Sequence, residues 1–212
     1  MNITQNNEDV LTVVPISGLK ILTGFLSNIC LGGRMCPLGV VHNIEVLYTW
    51  VDELNACLGV LINLVASNAD IRGELRQARV SANGADRSLV FLLSRLIVKI
   101  RTAFGVQAGR PGQKDVQNED SQEVTLDILR EGEGEATAAT VESYAAILLG
   151  LLVKDSASAK LEAQQIFSDI SMEPVIDAIQ RCLVFYLRAG ALTVQMENTL
   201  KELVVALRNQ LV

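Results

Sequence analysis

The sequence predicts an all-α fold, a short stack of paired helices, and three observations predict it. Apolar residues fill 50% of the 212 positions, which is ample for a continuous core. Aromatic residues are only 4%, while Leu, Ala and Val dominate, a mixture that suits helix interfaces better than the β-branched and aromatic surfaces of sheets. Along most of the chain the apolar positions recur at intervals of three and four, the period of one helix face.

A first helix is expected from about Val10 to Leu31, regular from Ile16 onward because Pro15 and Gly18 disturb its start, and ended by Gly32 and Gly33. Asn43 is placed to cap a long helix whose stripe is Leu47, Trp50, Val51, Leu54, Cys57, Leu58, Leu61, Ile62 and Val65. Ser67 to Asp70 marks a turn, Ile71 to Val80 a short polar helix, and Ser81 to Asp86 a further break. In that polar helix Arg72, Arg76 and Arg79 read as one solvated face. Ser88 to Phe104 is a strong helix with Leu89, Leu92, Leu93, Leu96, Ile97 and Ile100 inward and Arg95, Lys99 and Arg101 toward water.

From Gly105 to about Ala138 the chain turns to Gly, Gln and acidic residues. Such a stretch buries too little apolar surface to offset its ordering entropy, so a flexible acidic insertion is expected, with one transient turn at Val124, Leu126, Ile128 and Leu129. Helical periodicity resumes near Thr140, runs through Ser143 to Val153, and returns from Ser158 to Phe167. Ser171 then caps a helix with Pro174 in its first turn and Val175, Ile176, Ile179, Leu183, Val184 and Leu187 inward, stopped by Gly190. The last helix sets Met196, Leu200, Leu203, Val204, Leu207 and Leu211 on one side. The expected organisation is therefore residues 1–104 and 139–212 as two parts of one helical domain, with 105–138 inserted between them.

Three helices carry a related core: Gly24-Phe-Leu-Ser-Asn28, Gly59-Val-Leu-Ile-Asn63 and Gly150-Leu-Leu-Val-Lys154. The first two lie 35 residues apart, a period found in helical-hairpin repeats. Each glycine would let a neighbouring helix approach closely, and Asn28 and Asn63, inside apolar helices, would bond the backbone of the next hairpin or, as the alternative, contact a partner. Together these features predict a HEAT/armadillo-like helical repeat solenoid.

Several function classes are disfavoured. A formal net charge of -6 and a pI near 4.9 repel nucleic-acid phosphates, so no direct nucleic-acid binding is expected. Cys30, Cys57 and Cys182 sit in apolar runs, where a free thiol packs like a small hydrophobe, and with Cys36 they form no C-x-x-C pair, which suits a reducing compartment and implies no metal. The polar start of the chain predicts no secretory signal. Mean hydropathy is +0.32, but the longest apolar run, Tyr144 to Val153, is half the span a bilayer requires, so no membrane partner is expected.

Chemistry is equally sparse. His42 is the sole histidine, and no Ser or Cys stands in a nucleophile motif, so the chain is expected not to be an enzyme and to need no cofactor. Gly105 to Lys114 lacks the Lys-Ser/Thr pair and preceding strand of a phosphate loop. Glu131, Glu133 and Glu135 alternate with Gly and have no rigid frame to separate an acid from a base.

Leu58-Gly-Val-Leu-Ile-Asn-Leu-Val65 and Glu142-Ser-Tyr-Ala-Ala-Ile-Leu-Leu-Gly-Leu-Leu152 resemble two places in the carboxy-terminal region of the Wings apart-like (WAPL) cohesin-release family. The order is also similar: the first motif, an acidic insertion, the second motif, then two closing helices, over roughly residues 45 to 212. The resemblance implies a HEAT-like domain in the nucleus, on chromatin, that binds cohesin subunits and associated regulators and promotes release of cohesin without catalysis. Family members usually also carry amino-terminal Phe-Gly-Phe motifs, a triplet this sequence does not contain, and Ala136-Thr137-Ala138 stand where the family often has Met and acidic residues. Glu142, Tyr144, Lys154 and Asp155, at or beside the most family-like helix, are the candidate partner-binding residues; Tyr144 reads equally well as a core residue bonded through its hydroxyl. Without the resemblance, the same repeat describes a generic adaptor scaffold in trafficking or signalling complexes.

Overall fold

Short polar side chains set where helices begin. Asn68 accepts hydrogen bonds from the Asp70 and Ile71 amides at 2.9 and 3.0 Å, Ser88 Oγ from the Phe91 amide at 2.9 Å, and Ser156 Oγ from the Ala159 amide at 3.3 Å. Each satisfies an amide that a first helical turn leaves without a partner. The computed structural model describes residues 44–82, 85–104, 126–167 and 169–209, together with Gly18, residues 21–24 and Leu26. In chain order these form α1 (Ile44–Ser67), α2 (Ala69–Gln77), β1 (Arg79–Ala82), β2 (Ala85–Ser88), α3 (Leu89–Phe104), α4 (Leu126–Val153), α5 (Ala157–Gln164), α6 (Glu173–Arg188) and α7 (Val194–Asn209). Most of the described chain is helical.

The short polar helix expected over Ile71 to Val80 is present but ends at Gln77, and the strands replace its last residues and the break expected over Ser81 to Asp86. They pair antiparallel with Arg79 opposite Ser88 and Ala82 opposite Ala85, so only Asn83-Gly84 separates their ends, the dipeptide most favoured in two-residue hairpin connections. The arginine row is corrected with them. Arg79 is exposed on β1, whereas Arg72 is largely buried and donates to the Val65 carbonyl at 2.6 Å, closing the end of α1. Arg76 Nε bonds the Arg72 carbonyl at 3.2 Å.

Helix α4 forms the centre. It packs along α1, α3 and α6 and also meets α2, α5 and α7. The cause lies in Ala145-Ala-Ile-Leu-Leu-Gly-Leu-Leu-Val153, which is buried on every side, as an all-apolar helix must be in water. This helix starts at Leu126, twelve residues before the insertion was expected to end, so 126–138 is continuous helix where irregular chain with a single turn was expected. Leu, Glu and Ala are strong helix formers, and a helix already anchored by its buried half extends at low cost through two glycines. The longer helix contains an 18-residue stretch, Ala136–Val153, apolar enough to cross a bilayer by length and composition, but 67% of it is covered by the protein, as befits a core helix.

The repeat glycines differ in what they face. A side chain at Gly150 would meet Leu203 of α7 at 3.1 to 3.3 Å, so this glycine does permit close approach. At Gly59 the nearest contact would be the Tyr144 ring at an ordinary 3.9 Å, and at Gly24 nothing lies within 4 Å. Asn63 is exposed, which overturns its expected role as a buried backbone partner. It points away from the core because Ile62, Leu61 and Val65 already take that side of α1. Asn28, Asn43, His42, Cys30, Cys36 and Leu211 lie outside the described residues.

Candidate functional site

Helix α6 divides into two halves with different surroundings. Glu173-Pro174 begins it, with Ser171 Oγ accepting from the Glu173 amide at 3.1 Å one residue ahead of the cap position, which Met172 holds. In this half Val175, Ile176, Ala178, Ile179 and Cys182 are buried. The second half reads Leu183-Val-Phe-Tyr-Leu187, five apolar residues in a row, which at 100° per residue cover the whole circumference. Neighbours α4 and α7 cover only one side. Leu183 and Tyr186 are therefore half-buried, while Val184, Phe185 and Leu187 remain 47%, 67% and 46% exposed, contrary to the expected burial of Val184 and Leu187.

This uncovered strip borders a shallow pocket of about 330 Å³ lined by Gln180, Arg181, Val184, Phe185 and Arg188. Phe185 is braced edge-on by Tyr186, their ring centroids 5.5 Å apart and the planes at 79°. Gln180 accepts a long bond from Arg208 of α7 at 3.4 Å. Gly190, with φ 61, follows the helix in a conformation that suits glycine and turns the chain toward α7.

Beneath the first half of α6 lies a polar knot. Arg101 at the end of α3 donates to Glu142 of α4 at 2.6 Å, to Asp177 of α6 at 2.6 Å and to the Pro174 carbonyl at 2.8 Å. Arg181 bonds the other Glu142 oxygen at 2.9 Å and lies 3.3 Å from Asp177. Two cations and two anions thereby join three helices. The expectation that Arg101 faces water is corrected, since its side chain is only 12% exposed, and so is the expectation that Glu142 reaches solvent, since it is 1% exposed. Both corrections follow from helical spacing: Arg101 lies four residues after Ile97, and Glu142 lies three and four before Ala145 and Ala146, so each falls on the core side of its helix.

The other candidates divide similarly. Tyr144 is half-buried against the core, facing Gly59 of α1; burial, and next the Tyr186 side chain, push its hydroxyl well above the ordinary tyrosine range. It behaves as an internal residue. Lys154 follows α4 and is half-buried, and Asp155 is exposed beside Arg72 at 3.7 Å. The structure thus does not bring the four candidates to one surface.

Sequence reasoning missed Phe185 and Arg188, although the five-residue apolar run was visible. It also missed Lys160, which is buried and donates to the Leu207 carbonyl at 2.8 Å, near the carbonyl end of α7 where a cation is favoured. Burial lowers its pKa. Cys57 and Cys182 are buried free thiols; burial pushes Cys57 up to about 11 and raises Cys182, with Ser143 opposing the latter. Cys57 donates to the Leu22 carbonyl at 3.6 Å. Among the described residues, no three His, Cys, Asp or Glu side chains gather within reach of one ion.

No family model matches the chain, and no curated protein matches it. What the geometry offers is an exposed apolar strip, with arginines at its ends, on a mostly helical scaffold.

Proposed function

We propose that this chain is a non-catalytic regulator that binds the cohesin complex and promotes its release from chromatin. The observation that carries protein binding is the uncovered half of α6, where Val184, Phe185 and Leu187 lie together in water. Contiguous exposed apolar surface is costly to keep solvated and marks interaction sites. Cohesin as the partner is supported by the ordered resemblance of Leu58–Val65 and Glu142–Leu152 to the WAPL family, and these two segments lie in helices α1 and α4, which pack against each other.

The HEAT/armadillo-like description belongs to the same proposal. Consecutive packed helices α6 and α7 favour it, whereas the reach of α4 to six other elements exceeds the nearest-neighbour contacts of a linear solenoid. Nuclear, chromatin-associated residence follows from the family resemblance. Mechanistically, such a protein acts by binding an open state of a ring interface more tightly than the closed one, because a ligand shifts an equilibrium only by its differential affinity.

Pull-down with purified cohesin subunits at moderate salt tests the proposal. Retention of a subunit by the wild-type chain is expected, with loss on Phe185→Asp; a folded chain that retains none contradicts it. The competing description, an adaptor in trafficking or signalling complexes, draws on the same α6 face. Proximity labelling that recovers vesicle or cargo proteins and no chromatin proteins would favour it.

A further inference from the structure

We infer that the outer face of α6 receives an acidic amphipathic helix from its partner, with carboxylates about two turns apart on either side of an aliphatic anchor. The inference rests on protein binding at this face and deepens it by naming the chemistry of the occupant.

Three observations carry it. First, Gln180, Arg181, Val184, Phe185 and Arg188 form a single stripe along one helix, about 12 Å long at 1.5 Å per residue. A stripe of this shape matches the face of another helix, whose anchors recur at the same three- and four-residue spacing. Second, the stripe carries surplus positive charge. The carboxylates nearest it, Asp177 and Glu142, are both held by Arg101 and Arg181, while Arg188 and Arg208 have no ionic partner among the described residues. In a protein of formal net charge -6, such a rim selects an acidic ligand. Third, Arg181 and Arg188 are seven residues apart, which is two turns or about 10 Å, and Val184 and Phe185 lie between them. An occupying helix with acids at the same separation meets Arg188, which has no ionic partner among the described residues, and the part of Arg181 that stays exposed (39% of its side chain) beside its pairing with Glu142 and Asp177, while its central leucine-like residue covers Phe185. The edge-on contact with Tyr186 restrains the Phe185 ring, which reduces the entropy lost on docking.

A membrane surface fits less well. Two turns of apolar stripe are short for an interfacial helix, and the acidic whole is repelled by anionic lipid.

The test uses the full chain and a fluorescent amphipathic peptide of about 15 residues, long enough to form helix, with two Glu seven residues apart flanking a Leu pair, beside a version with Lys in place of Glu. Fluorescence anisotropy is expected to show binding of the Glu peptide that weakens at least tenfold or so in Arg188→Glu and in Phe185→Asp, as for a rim charge and a central anchor. The Lys peptide is expected to recover binding to Arg188→Glu. Both side chains are exposed, and matching melting curves for wild type and variants establish that folding is unaffected. Equal binding of the two peptides, or equal binding by wild type and variants, overturns the inference. A homodimer lost in Phe185→Asp, binding that appears only after residues 115–123 are deleted, or partitioning onto phosphatidylserine vesicles that Phe185→Asp abolishes, overturns it in favour of a second copy, the chain's own acidic segment, or lipid. Failure of the cohesin proposal is distinguishable: a chain that binds the Glu peptide but no cohesin subunit keeps this surface and loses that partner.

Discussion

The two halves of α6 have similar helical propensity but opposite solvent environments. In the first half, Arg181 and Asp177 join Arg101 and Glu142 in a knot whose charges are almost all taken up inside the protein. In the second, Val184, Phe185 and Leu187 lack cover, and Arg188 has no ionic partner among the described residues. The difference teaches that apolar content alone does not decide burial. Glu142 is inside because two guanidiniums and a helix interface compensate its desolvation, whereas Phe185 is outside because none of the described elements covers its side of the helix.

If the first half is structural, removing one member of the knot should have the largest effect. Glu142→Ala leaves Arg101 with one carboxylate fewer in a largely dry setting and is expected to lose about 3–5 kcal/mol in chemical denaturation. Next comes the α4–α7 seam: Gly150→Val forces Leu203 aside and should cost about 1–3 kcal/mol, while Gly59→Ala, which meets only ordinary contacts, should gain up to about 1 kcal/mol from helix propensity. Equal effects at the two glycines would break the account of close packing.

A smaller effect is expected from buried Cys57. Its folded pKa of about 11 lies above the ordinary 9.0, so the folded chain keeps a proton that the unfolded chain gives up. The associated stability is whole below pH 9 and lost as pH climbs from 9 toward 11; Cys57→Ala should flatten this part of the pH profile measured by urea denaturation. Lys160, with its lowered pKa, contributes the opposite slope below 10.5. Smallest of all, Phe185→Ser on the bare half should change stability by no more than about 0.5 kcal/mol, measured by thermal unfolding. A larger loss would mean that Phe185 supports the fold.

Much of the helical frame was legible because periodicity is a local signal. The stripe from Val51 to Val65, the inward face from Leu89 to Ile100 and the side of α7 from Met196 to Leu207 all follow directly from three- and four-residue spacing. The hairpin was not read, since Arg79–Ala82 and Ala85–Ser88 are short and mostly polar, although Asn83-Gly84 was a usable turn signal. The outer site was hidden for a different reason. Five consecutive apolar residues state that α6 has apolar surface all round, but which side stays wet depends on where α4 and α7 lie, a tertiary fact absent from the local pattern. Charged side chains misled in the reverse sense: Glu142 and Arg101 look solvated until their partners, 41 residues apart in sequence, are brought together.

The most direct measurement is methyl NMR of the isotopically labelled chain during titration with a purified cohesin subunit. The account predicts that the Val184 and Leu187 methyl resonances shift together while those of Leu149 and Leu152, deep in α4, stay in place. Binding that leaves Val184 and Leu187 unmoved, or that perturbs only residues on other helices, would contradict a docking role for this half of α6.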